Sequence, residues 1–289
     1  MNWQSNTSLA TGIPAVLSDK TFSRFSSLIY DEVGIMLPAA KKIMLESRLN
    51  KRLKAGGFRS FDDYADFVFS DEGRAKELVS LIDVVTTNKT DFFREPVHFD
   101  FLVKIAIPSL IDSHEAGFKS PFKIWSAGCS TGEEPYTMSM VLSEFAATRP
   151  GFHASILATD ISTAVLAKAK NAIYAEESVD TIPLNLKKKY LLKSKDRNKP
   201  IVRIAPQQRS MITFQRLNFM EEFGMREHMD VIFCRNVIIY FDKPTQERLL
   251  NRFHRQLVNG GYLFLGHSET ISGLNVPLKP VASTVYRKL

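Results

Sequence analysis

Beyond Pro96 the sequence alternates short apolar runs with longer stretches of helical spacing, and this alternation limits the possible folds more than any other feature. The apolar runs that are candidate strands are 122–126, 155–159, 231–234 and 262–265. The helical stretches between them include 134–147, 162–172 and 243–257. Strands that alternate with helices predict a mostly parallel sheet with helices on both faces. We therefore predict one α/β domain over residues 92–289.

Residues 18–91 carry apolar residues at helical spacing. The repeating positions are Phe22, Phe25, Leu28, Ile29, Leu45, Leu49, Leu53, Leu78, Leu81, Ile82 and Val85. The breaks fit helix ends, because Gly56 and Gly57 can end one helix and Ser60 can cap the next. This pattern predicts a small all-α domain, preceded by a flexible N-terminal arm at residues 1–17.

Residues 183–216 interrupt the alternation of the larger domain. The segment combines Pro200 and Pro206 with the β-favouring runs 201–204 and 211–214, which predicts a small antiparallel β insertion. Between Lys187 and Arg209 there are nine basic residues and one acid, in a chain whose total formal charge is +7. Charge concentrated in this way favours a docking patch, whereas a general nucleic-acid surface would spread its charge more widely.

Glycines and acids follow the first predicted strand of the α/β domain. Gly128 and Gly132 precede a helix that begins with Glu133 and Glu134, and such glycines let the backbone approach a nucleotide-type ligand closely. A pyrophosphate would use the positive end of this helix, but two carboxylates repel phosphate. S-adenosylmethionine has a sulfonium, an amino group and no phosphate, so the pair favours that cofactor. The alternative is that both glutamates only cap the helix.

Two further polar sites follow predicted strands. Asp160 ends the second strand, where a carboxylate can accept hydrogen bonds from both hydroxyls of a ribose, although an aspartate there is often a helix cap. Arg235 and Asn236 lie between the apolar blocks of 230–241. Polar residues at the carboxyl end of a buried strand face the ligand crevice in such sheets, which favours a functional role over a simple turn.

Cysteine content and hydropathy restrict the compartment and the chemistry. Cys129 and Cys234 are the only cysteines, too few for a disulfide framework or a zinc site built from four thiolates. No apolar run approaches the roughly 18 residues of a membrane span. The sequence also has no obvious histidine–acid pair or metal cluster. We expect a soluble cytoplasmic protein that uses no metal.

Four motifs together resemble one family. They are Asn88–Glu95 (NKTDFFRE), Trp125–Tyr136 (WSAGCSTGEEPY), Phe233–Asp242 (FCRNVIIYFD) and Gly266–Glu269 (GHSE). In this order they strongly resemble the chemotaxis receptor methyltransferases, the CheR family, and the likeness extends over nearly the whole chain from Thr21. It implies a Rossmann-like class I methyltransferase domain after the all-α domain. It also implies methyl transfer from S-adenosyl-L-methionine to glutamate γ-carboxylates of bacterial chemoreceptors, which yields glutamyl methyl esters and S-adenosyl-L-homocysteine.

The resemblance also implies the site residues. The expected cofactor-binding residues are Asn88, Thr90, Arg94, Glu134, Asp160, Asn218, Phe219, Arg235 and Asn236. Arg94 and Tyr240 are expected nearest the methyl group and are the candidate catalytic residues. Arg94 would orient the incoming carboxylate, because a guanidinium forms paired hydrogen bonds with it. A surface salt bridge with Asp91 or Glu95 is the alternative for Arg94.

The predicted partners are methyl-accepting chemoreceptors. Lys41, Arg48 and Arg52 repeat at steps of seven and four residues, which return to one helix face. Such a basic stripe fits the acidic methylation helices of receptors, although a solvated face is the default interpretation. The β insertion is the candidate docking site for a tethering peptide at a receptor's carboxyl terminus. Membrane association is expected only through receptors.

The sequence disfavours three alternatives to this interpretation. A nucleic-acid methyltransferase would fit the basic charge, but amino-group methylases commonly carry an Asp/Asn-Pro-Pro-aromatic motif where this chain has Arg235-Asn236-Val237-Ile238. A non-catalytic scaffold that binds S-adenosylmethionine is disfavoured by the complete set of matching positions. A dehydrogenase is disfavoured by Glu133 and Glu134 beside its phosphate site.

Overall fold

The computed structural model describes residues 16–196, 198–225 and 227–289, which form two compact units. The first unit contains the described residues up to Asp31 and Leu37–Val85; the second contains Glu32–Met36 and Thr86–Leu289. Most of the predicted N-terminal arm, residues 1–15, lies outside the described residues. Within the described ranges, no helix combines the length and apolar content needed to cross a bilayer.

Four helices build the first unit: α1 (Asp19–Val33), except for its last two residues, α2 (Lys42–Gly56), α3 (Phe61–Phe69) and α4 (Asp71–Val85). The expected cap is present, because Ser60 accepts a hydrogen bond from the backbone N–H of Asp63. Leu17 is buried and its N–H donates to Glu46 Oε2 at 2.9 Å. The last residue of the predicted arm is therefore packed into the helical unit.

The second unit is built on a seven-stranded sheet. Its strands in chain order are β1 (Phe122–Ala127), β2 (Ala154–Asp160), β6 (Ile212–Arg216), β7 (Met229–Cys234), β8 (Leu257–Leu265), β9 (Leu278–Ala282) and β10 (Val285–Lys288), with β3 to β5 in a separate small sheet. The spatial order is β6-β2-β1-β7-β8-β10-β9. All neighbours from β6 to β8 are parallel, and β10 is antiparallel to both β8 and β9.

Apolar residues cover both faces of this sheet. Ile124 and Phe233 belong to one buried cluster, and their chain neighbours Trp125 and Ile232 belong to the other. Because successive strand residues point to opposite faces, strands buried on both sides appear as continuous apolar runs. The helices that accompany the sheet are α5 (Pro96–Phe101), continued by a π-helical turn, α6 (Ile107–His114), α7 (Glu133–Ala147), α8 (Thr163–Asn171), α9 (Leu184–Tyr190), α10 (Pro206–Ser210) and α11 (Lys243–Gln256).

The small antiparallel sheet differs in extent from the predicted insertion. It consists of β3 (Ile173–Ala175), β4 (Leu191–Lys193) and β5 (Ile201–Ile204) in the order β3-β5-β4. The run predicted at 211–214 instead belongs to β6, which pairs in parallel with β2 in the main sheet. Its short apolar pattern suits either an antiparallel or a parallel strand, and only long-range pairing distinguishes them.

The boundary between the units lies after Val85, where α4 ends, a few residues before the predicted boundary at Asp91. Residues 86–95 form an irregular segment of the second unit. This segment is held there by hydrogen bonds from Ser130 Oγ to Asn88 O at 2.8 Å and from the Phe93 N–H to Thr137 Oγ1 at 3.1 Å. We call it the 86–95 segment below.

Candidate active site

The carboxyl ends of three neighbouring strands define the candidate site. β1 lies between β2 and β7, with Ala127 opposite Thr159 and Ser126 opposite Phe233. The chain leaves β1 toward β2 and later returns to β7, so the strand order reverses between β1 and β7. Ligands of open α/β sheets bind outside the strand ends at such a switch point.

Both predicted loop glycines adopt positive φ, 86° for Gly128 and 99° for Gly132. A Cβ atom added to Gly128 would lie 2.5 Å from Val237 Cγ2, and one added to Gly132 would lie 2.9 Å from Ala169 Cβ. The glycines are therefore required by backbone conformation and by close contacts within the protein, in addition to the predicted approach of a ligand.

The two acids at the start of α7 have different surroundings. Glu134 accepts hydrogen bonds from Ser126 Oγ and from Arg235 Nε, both at 2.7 Å. Glu133 accepts one from Thr131 Oγ1 at 2.7 Å, and burial raises the pKa of its carboxyl. Glu134 therefore faces the ends of β1 and β7, whereas Glu133 is held within its own loop.

Arg235 is buried and joins three parts of the site. Besides its ion pair with Glu134, its NH1 group donates to the backbone oxygen of Arg94 at 2.6 Å. Its guanidinium also lies over the rings of Phe99 and Phe233, at 5.2 and 5.4 Å. These contacts fix the 86–95 segment to the end of β7, so Arg235 has an internal role beside its predicted contact with the cofactor.

Asp160 lies at the end of β2 as predicted and is buried. Its Oδ2 accepts from the Ser130 N–H at 2.8 Å and its Oδ1 from the Ser162 N–H at 3.0 Å. The helix that follows is capped by Ser162, which accepts from the Val165 N–H. Asp160 is therefore more than a local turn residue, because it also connects the glycine loop to β2. Its ribose contact stays a prediction.

Asn218 and Phe219 follow β6 and already have partners in the second unit. The Asn218 amide donates to Glu32 O at 2.8 Å, and its Oδ1 accepts from the Met220 N–H at 3.0 Å. The Phe219 ring lies 5.9 Å from that of Phe253. A cofactor contact of the Asn218 side chain would have to share or replace these bonds.

The residues predicted nearest the methyl group lie on two segments of the second unit. Arg94 is half-buried on the 86–95 segment, and its guanidinium donates weakly to Lys89 O at 3.4 Å. Tyr240 is half-buried in a 3-10 turn after β7, and its backbone oxygen accepts from the Met36 N–H at 2.9 Å. Among the described residues, Arg94 has no ion pair with Asp91 or Glu95, and the Glu95 carboxylate lies 3.5 Å from the Arg235 guanidinium instead, which disfavours the surface salt bridge.

The predicted receptor-binding stripe lies wholly in the first unit. Arg52 forms a two-point ion pair with Glu77, at 2.6 and 2.8 Å, and the Tyr64 hydroxyl donates to the same carboxylate at 2.9 Å. Arg48 donates to the backbone oxygen of Val85. Lys41 is exposed. Two of the three residues therefore have internal roles in the helical unit, and a receptor contact stays a prediction for all three.

The basic region of the predicted insertion is partly neutralised. Four of its lysines pair with acids: Lys187 with Asp180, Lys189 with Glu144, Lys193 with Glu176 and Lys199 with Asp196. Arg197 lies outside the described residues. The local field is therefore weaker than the sequence count alone indicates.

One group of potential metal ligands occurs in the described part of the chain: Glu95, His98 and His267. The Arg235 guanidinium lies 3.5 Å from the same Glu95 carboxylate, and this positive charge opposes a cation there. Burial and Arg235 lower the pKa of His98 to about 4, so its ring is neutral at pH 7.

Burial also raises the pKa of the Cys129 and Cys234 thiols well above the ordinary value, which leaves both thiols protonated and unreactive.

Sequence reasoning gave no role to several residues of this site. Ser126 and Ser130 hydrogen-bond Glu134 and the 86–95 segment, and Glu269 accepts from backbone N–H groups on either side of Val237. The sequence could have indicated a role for Ser126, since it is a hydroxyl within an apolar strand. For Glu269 the only indication was its place in the fourth motif.

A Rossmann-like sheet with a glycine loop and an acidic helix start at its switch point defines an S-adenosylmethionine-dependent methyltransferase, because the acids suit a cationic, phosphate-free cofactor. Residues 88–287 match the family described as "CheR methyltransferase, SAM binding domain", and residues 20–86 match "CheR methyltransferase, all-alpha domain". The chain belongs to the CheR methyltransferase family.

Curated relatives extend this similarity over nearly the full length. The chain is 42% identical over 268 residues to "Chemotaxis protein methyltransferase" of Borreliella burgdorferi, covering 92% of this chain and 93% of the relative. It is 36% identical over 271 residues to the protein of that name in Escherichia coli (strain K12), covering 93% and 91%. The predicted family, fold class, enzyme class and cofactor are thereby confirmed.

Proposed function

We propose that this enzyme methylates glutamate γ-carboxylates on bacterial chemoreceptors, forming glutamyl methyl esters and S-adenosylhomocysteine. The main support is that Arg235 fixes the backbone of Arg94 to the end of β7, the strand that Tyr240 closely follows. The residue whose backbone is held in this way carries a guanidinium, which suits a carboxylate substrate because paired hydrogen bonds orient both of its oxygens. Relatives named chemotaxis protein methyltransferases support the chemotactic setting.

The chemistry needs no general base. A glutamate side chain has a pKa of about 4.3 and is already an anionic nucleophile at neutral pH. The cofactor supplies an electrophilic methyl group on sulfur. The protein's contribution is to orient the carboxylate and exclude water, an effect worth up to about 7–11 kcal/mol for well-aligned reactants. Arg94 positions the carboxylate more than it activates it, because strong stabilisation would weaken the nucleophile.

The proposed cofactor site uses the residues predicted from the motifs. Glu134 would hold the amino group of the methionyl part, since an ionised carboxylate has about four acceptor positions and its protein partners use only two. Asp160 would accept from the ribose hydroxyls. The remaining proposed contacts are Asn88, Thr90, Arg94, Asn218, Phe219, Arg235 and Asn236.

A labelling experiment tests the activity. Purified protein is incubated with methyl-labelled S-adenosylmethionine and membranes that contain chemoreceptors, and the label is then challenged with mild base. We expect label on the receptor that base releases as methanol, because methyl esters hydrolyse readily. Base-stable label, or label on added RNA or DNA, would instead favour amine or nucleic-acid methylation.

The small sheet is the proposed docking site for a receptor tether. β4 is an edge strand of this sheet, and its Leu192 is exposed. An extended peptide can pair with an unoccupied strand edge through backbone hydrogen bonds. A receptor that lacks its carboxyl-terminal segment provides the test in the same assay. Unchanged methylation of the shortened receptor would refute the tether and leave the methyltransferase proposal intact.

We expect charge reversal on exposed lysines of α2 and the turn before it to weaken receptor use. Lys41→Glu combined with Lys51→Glu changes two exposed positions, whereas reversal of Arg52 would also break its pair with Glu77. The KM for receptor should rise on the order of tenfold at low salt, because exposed charges steer association with an acidic partner. The Kd for S-adenosylhomocysteine should not change. Lys104→Glu, at an exposed lysine of the second unit, is the control, and a KM unaffected by the double change would exclude Lys41 from the proposed receptor contact.

A further inference from the structure

The Glu269 carboxylate is buried and accepts hydrogen bonds from four backbone N–H groups. Oε2 accepts from Gly266 at 2.6 Å and from Asn236 at 2.8 Å, and Oε1 accepts from Val237 at 2.8 Å and from Ile239 at 3.3 Å. Only 3% of the residue is exposed. One side chain thus satisfies donors from the loop after β8 and from residues 236–240, the loop after β7.

The 236–240 loop carries proposed functional residues at both ends. Asn236 is a proposed cofactor contact and Tyr240 is predicted nearest the methyl group. Asn236 has a φ of 59°, a left-handed conformation that asparagine adopts more readily than most residues other than glycine. The N–H groups of Asn236 and Val237 are both held by Glu269, which stabilises this conformation.

The neighbouring glycine shows how tightly the two loops approach. A Cβ atom on Gly266 would lie 2.8 Å from Asn236 N and 2.6 Å from Asn236 Nδ2. Gly266 itself is tied to Glu269, because the Glu269 N–H donates to Gly266 O at 2.9 Å. The loop after β8 therefore carries two residues that contact Asn236. Glu269 accepts its N–H, and Gly266 leaves the space that a side chain would fill.

Burial raises the pKa of the Glu269 carboxyl, and the four backbone N–H groups counteract this because they favour an ionised acceptor. Hydrogen bonds to an ionised acceptor are roughly twice as strong as neutral ones. Without the carboxylate, several backbone donors near the strand end would lose their partner, and a buried donor left unsatisfied destabilises the loop that carries it. The loop would then relax toward conformations in which these N–H groups reach water or other acceptors.

We propose that Glu269 is a positioning residue for methyl transfer, which holds the 236–240 loop in the conformation that binds cofactor and places Tyr240. It acts through the backbone of this loop and is not itself assigned a contact with cofactor or substrate. This inference rests on the proposed roles of Asn236 and Tyr240.

Glu269→Gln is the direct test, since it keeps the size of the side chain but replaces one acceptor oxygen with an NH2 group that faces backbone donors. We expect the Kd for S-adenosylhomocysteine, measured by calorimetry on the full chain, to rise roughly 10–100-fold. The kcat of receptor methylation should fall as well. Glu269→Asp keeps the charge on a shorter side chain and should recover part of both losses.

Asp230→Asn is the matched control. Asp230 is another buried carboxylate that accepts from a backbone N–H, that of Lys123 at 2.7 Å, but it lies at the opposite end of β7. Its loss should lower thermal stability and leave the Kd for S-adenosylhomocysteine within about twofold, because distant sites act independently. The contrast separates a positioning effect from general destabilisation.

Gly266→Ala keeps the experiment decisive if Glu269→Gln does not fold. The added methyl group would displace Asn236 while the carboxylate remains, and the same loss of cofactor affinity is expected. Wild-type affinity in a folded Glu269→Gln or Gly266→Ala variant would overturn the proposal. Wild-type protein that binds S-adenosylhomocysteine but labels no receptor would instead count against the proposed substrate, so the two failures are distinguishable.

Discussion

Replacing Glu134 with alanine should both destabilise the second unit and weaken cofactor binding. The change removes the 2.7 Å carboxylate partner of the buried Arg235 guanidinium and leaves it the 3.5 Å contact with Glu95. Breaking a buried ion pair by removing one member costs up to about 3–5 kcal/mol. Affinity for S-adenosylhomocysteine should fall roughly 10–100-fold, the value of a lost hydrogen bond to a charged group. Urea denaturation and calorimetric titration measure the two effects separately.

A paired substitution tests how much of the stability loss in Glu134→Ala comes from the unpaired charge of Arg235. Glu134→Leu with Arg235→Met removes both charges, and well-packed apolar replacements of buried pairs are often neutral or stabilising. The double variant should therefore recover part of the stability lost in Glu134→Ala, although Arg94 O and Glu95 lose Arg235 as their partner. It should recover none of the cofactor affinity, because both replaced residues are proposed cofactor contacts. Glu144→Gln changes an acid of the same helix that pairs with Lys189, and it should bind cofactor normally. Full affinity in the double variant would refute the assignment of Glu134.

The parts of the fold that were predicted depend on local patterns. Continuous apolar runs identified β1, β2, β7 and β8, because strands buried on both faces need such runs. Ser60 identified the start of α3, because its hydroxyl accepts from a backbone N–H three residues later. In both cases the information is contained within a few residues.

The structural features that the sequence did not predict depend on contacts between residues far apart in the chain. The run at 211–214 was assigned to the insertion, but its partner in the sheet is β2, more than fifty residues earlier. Arg52 has the spacing of a surface stripe, yet its partner Glu77 lies on a different helix. Neither partner can be identified from the local sequence, since both depend on how distant segments pack.

The same distinction applies to the site. Glu134 and Asp160 were predicted from their places at a helix start and a strand end, and both lie at the carboxyl edge of the sheet. The connections among them were not predictable, because Arg235 joins Glu134 and Arg94 across about one hundred residues or more of chain. Glu134 and Asp160 thus followed from element ends and most other site residues from the family motifs, whereas the network that holds them depends on the tertiary structure.

Arg94→Ala should lower the kcat of receptor methylation by roughly 10–100-fold, the loss expected when paired hydrogen bonds to a carboxylate are removed. The fold should survive, because Arg235 binds the backbone oxygen of Arg94 and alanine keeps that oxygen. Since Arg94 is also a proposed cofactor contact, the Kd for S-adenosylhomocysteine should rise, but by a smaller factor. Single-turnover kinetics with saturating cofactor separate the two effects.

Arg94→Lys tests whether geometry or charge matters. Lysine keeps the positive charge but cannot form the planar two-point contact of a guanidinium, so we expect most of the loss in kcat to remain. Lys89→Ala removes an exposed charge of the same segment and should retain normal turnover, since the Arg94 guanidinium contacts only its backbone oxygen. Near-complete rescue by lysine would show that charge alone suffices, and a folded Arg94→Ala variant with wild-type turnover and affinities would exclude Arg94 from the reaction.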